Sequence, residues 1–374
     1  MENKDRRENY KIIISIDNFY IKGFIFFDGQ VLSSKKISLV QEFFNPLFDR
    51  VLFINKFIKV LLYNFSYHSP DDDLNIEIYT SLDFFKKDLL KITEKVINID
   101  QNFLNDKTKY FAKKFYDIPC FVVNVSRDNI FISGNINFTS SKKTFDFMYD
   151  ELFKIKDFSQ FSILNGKIKK YNLYNALTKQ SLSYREELFL PIISTLNKNL
   201  LSSFSFEPQD SVPIFILSGD IYQFLSDSNY AIFSLLYGLD IRGIISLYTD
   251  NSNIFPFLGI LPDDYIFSKI NHIGDVFHIS FDKKENESLI IPIKVIDDES
   301  VKEINVKLND LINIPVNGTA HITIKLPNGV SIGNKRGDVE LISKSKVFIY
   351  TKDIDKLTPI EISRWIENSQ DLVF

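Results

Sequence analysis

One cysteine, Cys120, in 374 residues excludes an intrachain disulfide and any metal site built from several thiolates. It lies in an apolar run, where buried packing is its expected role. Charge of one sign is also lacking. The 44 Lys and Arg against 48 Asp and Glu leave a net charge of −4, without the basic footprint that nucleic acid recruits. No window reaches the roughly 18 uncharged apolar residues of a membrane-spanning helix. The opening MENKDRRENY is charged and has no apolar core like that of a secretory signal. A cytoplasmic protein is expected, attached to a membrane only through a partner. The histidines His68, His272, His278 and His321 are scattered and have no cysteine nearby, so no metal site is expected. Gly-x-Ser-x-Gly, P-loop, His-Glu-x-x-His and dinucleotide fingerprints are all missing. Asp71-Asp72-Asp73 lacks the further oxygen ligands of an EF-hand and reads as a solvated loop.

What is present is ordinary for a globular chain: 45% hydrophobic and 25% charged residues, enough length for two or three cores. The 36 Phe and 17 Tyr, against 2 Met and 1 Trp, read as a bias of the whole composition, not as an aromatic binding surface.

Residues 212–261 organise the rest. An apolar run, Val212 to Leu217, breaks at Ser218-Gly219-Asp220; a helical pattern follows from Ile221 to Tyr237, then a second run, Ile244 to Tyr248. A buried strand that ends in a small-residue turn at a helix N-terminus builds one wall of a ligand crevice. Earlier in the chain, residues 10–40 read as a meander with an Asp28-Gly29 hairpin turn, residues 47–65 as a helix, and Leu74 to Thr80 as a strand. Residues 82–115 read as helix in two pieces that break near Asp100. A second meander, Ile118 to Val125 and Asn129 to Phe138, precedes helical patterns at 145–156 and 185–201. The repeated order of meander and helices predicts a duplicated α/β unit. Beyond Pro262 short alternating runs and Asn-Gly turns predict a small all-β domain. A last helix, Thr358 to Asn368, carries Trp365 as a packing anchor. The expected divisions are 1–115 and 116–265 for the two α/β subdomains, 275–352 for the β domain, and 353–374 for the closing helix and tail.

This order resembles the actin, sugar kinase and Hsp70 superfamily. Ile12 to Ile25 and Phe121 to Ile132 match its two phosphate loops, and Ile214 to Asp220 its adenosine turn. Residues 213–374 resemble, more narrowly, the MutL-type proteins associated with glutamate mutase. The likeness is carried by Ser218-Gly219-Asp220, Leu235 to Ile244, Asp250 and Phe255 to Ile260. The resemblance implies a fold of two actin-like, ribonuclease H-like subdomains with mixed sheets, then the small β domain and a terminal helix. It also implies a remnant nucleotide crevice lined by Asp17, Asn124, Ser126, Ser218, Gly219 and Asp220, with ATP and Mg²⁺ as the ligands such a crevice would take.

The departures are chemical. Phosphate loops need glycines and small hydroxyl residues so that backbone N–H groups reach the anion. Here the first loop reads Asp17-Asn18-Phe19-Tyr20 and the second Asn124-Val125-Ser126-Arg127-Asp128, and the adenosine turn keeps only Gly219. Asp17 is the single candidate carboxylate beside a metal. Each candidate also has a plain structural role: Asp17 turns two strands, and Ser218 or Asp220 caps a helix. Asp240 and Arg242 are expected to pair across a turn. No catalytic residue and no resident cofactor is therefore expected, and the enzyme class stays open with the balance against it. Three readings follow: a non-catalytic scaffold binding another protein, an ATP-dependent reactivating chaperone for a cofactor-dependent mutase-type enzyme, and, least supported, a sugar or acetate kinase relative.

Overall fold

A computed structural model describes residues 10–17, 20–39, 43, 45, 47–63, 75–82, 85–114, 118–125, 129–134, 143–144, 212–219, 243–281, 289–307 and 310–351. The readings placed on Asn18, Phe19, Asp71-Asp72-Asp73, Ser126, Arg127, Asp220, the helices at 145–156, 185–201 and 221–237, the Asp240–Arg242 pair and the closing helix lie outside these residues.

The first lobe begins with the meander β1 (Lys11–Ile16), β2 (Tyr20–Phe27) and β3 (Gln30–Ser38). The β2–β3 hairpin turns at Asp28 and Gly29, with φ of 45° and 76°, the paired left-handed geometry of a two-residue loop. After helix α1 (Arg50–Tyr63), strand β4 (Asn75–Thr80) joins β1 in parallel, and β5 (Val96–Asn98) joins β4 in parallel. The order is β3-β2-β1-β4-β5. Alternation along β1 and β2 sends Ile12, Ile14, Ile16, Ile21 and Ile25 toward Ile54, Phe57, Ile58 and Leu61 of α1. The helix comes so close that a Cβ at Gly23 would lie 2.8 Å from Leu61 and Phe57.

The sequence reading put two helices across 82–115. Between α2 (Lys86–Leu89) and α3 (Gln101–Lys114) the chain instead forms β5. β-Branched Val96 and Ile97 find an open edge on β4, and Val96 packs on one face of the sheet while Ile97 packs on the other. Sheet pairing overrides the helical pattern there.

The second lobe repeats the plan. Strands β6 (Cys120–Val125), β7 (Asn129–Gly134) and β8 (Lys143–Thr144) pair antiparallel, then β9 (Ile214–Ser218) and β10 (Gly243–Thr249) continue in parallel from β6. The order β8-β7-β6-β9-β10 has the same strand senses as the first lobe, so the chain carries the expected two-lobed, actin-like architecture of mixed sheets. Helix α3 packs on β6 and β7. A single 3₁₀ turn, Phe255–Phe257, fills the space between the lobes. Phe257 stands 5.5 Å from Phe24 and 5.3 Å from Tyr79 between ring centres, and Phe255 stands 5.8 Å from Phe111. Cys120 is buried in this shared core, as its apolar setting implied.

After α4 (Asp263–Phe267), β11 (Asn271–Phe281) pairs with β10 and extends the second sheet. β18 (Val347–Tyr350) and β14 (Leu311–Ile314) extend it further, and β16 (Val330–Ile332) pairs with the far end of β11. β12 (Ile290–Ile296), β13 (Val301–Lys307), β15 (Ala320–Lys325) and β17 (Asp338–Ser343) form a separate sheet in the order β13-β12-β15-β17. Its inner residues, Ile291, Ile293, Val295, Ile322 and Ile324, pack on Phe277, Val347 and Ile349. β14 and β16, four and three residues long, were not anticipated from the sequence.

Candidate functional site

Six parallel strands, three in each lobe, deliver their C-terminal ends to one crevice. Its walls include Asp17 after β1, Ser81 after β4, Ile99 after β5, Asn124 in β6, Gly219 after β9 and Asn253 after β10. Ligands of open α/β sheets bind at the carboxyl ends of such strands. The space inside is about 20 Å³, room for about one water molecule.

Asp17 is buried, and its carboxylate is closed by neighbours. Oδ1 accepts the Tyr20 N–H at 2.7 Å, and the Asp17 N–H in turn donates to the Tyr20 carbonyl at 3.0 Å. This is the strand-turning role. Oδ2 also receives the Lys22 ammonium at 3.1 Å and the Asn253 amide, from the second lobe, at 3.5 Å. Lys22 is 4% exposed. It lies on β2 directly opposite Ser15 and Lys36, on the face turned away from α1. Lys36 is exposed as a residue, yet its ammonium lies 3.7 Å from the centre of the Tyr20 ring. Burial of that end, then the Lys22 cation, lowers its pKa to about 8.

Ser218 does not face the crevice as a ligand. It is fully buried and donates to Asp250 Oδ2 at 3.0 Å. Asp250 accepts the Ile254 N–H at 2.8 Å and the Phe255 N–H at 2.7 Å. Its burial pushes the carboxyl pKa up, opposed by those two N–H groups, the Lys22 cation and the Ser218 hydroxyl. Asp250 thus ties the end of β9 to the turn that wedges between the lobes. Gly219 has φ of 114°, a conformation open to glycine and strained for other residues. Asn253, at φ 48° and 8% exposure, leaves its Oδ1 without a hydrogen-bond partner.

Of the predicted residues, Asp17, Asn124 and Gly219 meet at the crevice, Ser218 stands behind it, and Ser126 and Asp220 lie outside the described residues. Lys22 and Asn253 were missed. A lysine in the middle of the apolar strand YIKGFIFF was the available signal, since buried lysines have partners.

A second polar cluster lies on β10 and β11. The Ser246 hydroxyl is 2.9 Å from both His272 Nε2 and Asp275 Oδ1, and Nε2 is 3.6 Å from the same carboxylate oxygen. Hydroxyl and carboxylate converge on one ring nitrogen, whereas a nucleophile triad needs them on opposite nitrogens. Burial alone would raise the Asp275 pKa; the nearby His272 ring and hydrogen bonds from Ser343 and Ser246 outweigh it and hold the carboxyl below its ordinary value.

No protein-family model matches the chain, and no curated protein matches it in sequence. Solved structures do match. The ethanolamine utilization protein EutJ from Carboxydothermus hydrogenoformans is 9% identical with a TM-score of 0.38, over 68% of this chain and 89% of that one. Component A of (R)-2-hydroxyglutaryl-CoA dehydratase from Acidaminococcus fermentans is 14% identical with a TM-score of 0.38, over 67% and 95%. The psk41 ParM protein is 12% identical with a TM-score of 0.35, over 69% and 99%. The assignment of the fold rests on the two matching strand orders. No helix among the described residues is long and apolar enough to cross a membrane.

Proposed function

We propose that this chain is a degenerate actin-like protein that works as a non-catalytic scaffold or assembly subunit for another protein. The observation that carries the reading is the state of Asp17. The one carboxylate available at the first loop is buried against Lys22 at 3.1 Å. A crevice of about 20 Å³ agrees with this, because ligand pockets usually occupy roughly 300–1,000 Å³. A protein partner is supported by the four-stranded sheet, whose outer face sets Val301, Ile296, His321 and Ile342 side by side across all four strands. Ile342 is 65% and Val301 62% exposed.

The alternative is an ATP-binding reactivating chaperone for a cofactor-dependent mutase-type enzyme, which the MutL-type likeness of residues 213–374 suggests. Gly219 with its left-handed turn at the end of β9 favours it. Thermal unfolding with ATP or ADP and Mg²⁺, combined with a phosphate-release assay, separates the two. The scaffold reading expects neither a shift nor turnover. Stabilisation near the roughly 2.7 kcal/mol of a ligand at a hundred times its Kd would overturn it in favour of the chaperone.

A further inference from the structure

The four-stranded sheet carries an outward row that breaks its own pattern. Its inner face packs on the second sheet, so the outward positions of each strand are expected to be polar. In one row they are: Glu303, Lys294, Thr323 and Glu340 lie side by side across β13, β12, β15 and β17. The neighbouring row, Val301, Ile296, His321 and Ile342, has three aliphatic members, and all four residues are exposed. An apolar row in water with charge beside it marks an interaction surface. Acids border it on both sides. Glu303 and Glu340 stand at the two ends of the polar row, and the turn between β12 and β13 holds exposed Asp298 and Glu299 beyond the other side. The bases in these borders are Lys294 and Lys344, so acid predominates.

We infer that this row docks an amphipathic α-helix of another protein, its apolar stripe laid across the four strands and lysine or arginine along both borders of the stripe. The inference rests on the scaffold reading and names the class of partner. Strand spacing selects the helix. Neighbouring strands lie about 4.8 Å apart, so the row spans about 14 Å. A helix returns its apolar stripe about every 5.4 Å and keeps step with the four strands for nearly three turns. An extended segment shows one face only about every 6.7 Å and is out of step by the third contact. The acidic borders select the basic flanks. A second copy of this chain fits poorly. A stable interface buries about 800 Å² on each side, more than one row of four side chains offers, and a two-fold pairing would set acidic borders together.

The test is fluorescence anisotropy of the whole chain with a labelled synthetic helix, leucine at every third or fourth position over about four turns and lysine beside each leucine. Two control peptides share its length: one scrambles the order, and one replaces every lysine with glutamate. Micromolar binding that strengthens at low salt is expected of the first peptide alone. Val301→Ser with Ile342→Ser should weaken it at least about tenfold. Glu303→Gln with Glu340→Gln should weaken it several-fold and flatten the salt dependence. These side chains are exposed, so both double variants should keep the thermal midpoint of the unaltered chain. The inference is overturned by no binding, by equal binding of either control peptide, or by serine variants that bind as the original does. A concentration-dependent dimer in sedimentation that the serine variants abolish overturns it in favour of a second copy. ATP and Mg²⁺ added to the unaltered chain test the scaffold reading separately. A thermal shift there sinks the scaffold, whereas failed peptide binding without such a shift sinks only the docked helix.

Discussion

Asp250 illustrates how one buried side chain orders a site by gathering donors around it. Its two oxygens collect the Ile254 and Phe255 N–H groups and the Ser218 hydroxyl. Asp250→Ala leaves three buried donors unsatisfied, at roughly 1–3 kcal/mol each, so urea unfolding should register a loss of at least about 3 kcal/mol. Asp250→Asn keeps one acceptor oxygen and should lose less. Lys36 makes a pH prediction. Its folded pKa of about 8 lies below the ordinary 10.5. Between those values the unfolded chain holds a proton that the folded chain releases, so stability rises with pH across that window. Urea midpoints at increasing pH should show the rise, and Lys36→Met should flatten it. The identity of the interior partners was not legible at this scale. Asp17 was readable as a lone acid before a second strand, but its pairing with Lys22 and Asn253 depends on strand alternation and on a segment 236 residues away.

Among the elements, β2 is constrained on both faces. One side presents Lys22 and Phe24 to the second lobe, and the other lies against α1, with Gly23 leaving no room for a methyl group. Gly23→Ala forces Phe57 and Leu61 aside, and overpacking of that kind costs roughly 1–3 kcal/mol. Chemical denaturation should show that loss, and Phe57→Leu in the same chain should return part of it. Strands with plain signals were readable. The Asp28-Gly29 hairpin, the alternation of β12, β13, β15 and β17, and the apolar run of β9 all appear near their expected places. β5, β14 and β16 were not, because each has only three or four residues and exists through the strand beside it.

At the scale of the whole molecule, aromatic residues join the two lobes. Phe257 is fully buried and meets Phe24 and Tyr79 of the first lobe. Phe257→Ala should cost about 3–5 kcal/mol and uncouple the lobes. Calorimetry should then resolve two transitions, and a single one is expected of the unaltered chain. The duplicated order was readable at this scale as repetition of meander and helix. By itself the sequence determined the period-two and helical patterns, the turn at Asp28-Gly29, and the lack of glycine where an anion would need bare backbone, since these depend on residues next to one another. Only the tertiary structure decided which side of each strand faces the crevice, and that Lys22, Asp17 and Asn253 meet there. Those facts depend on the stacking of two sheets whose contributing residues lie more than two hundred positions apart.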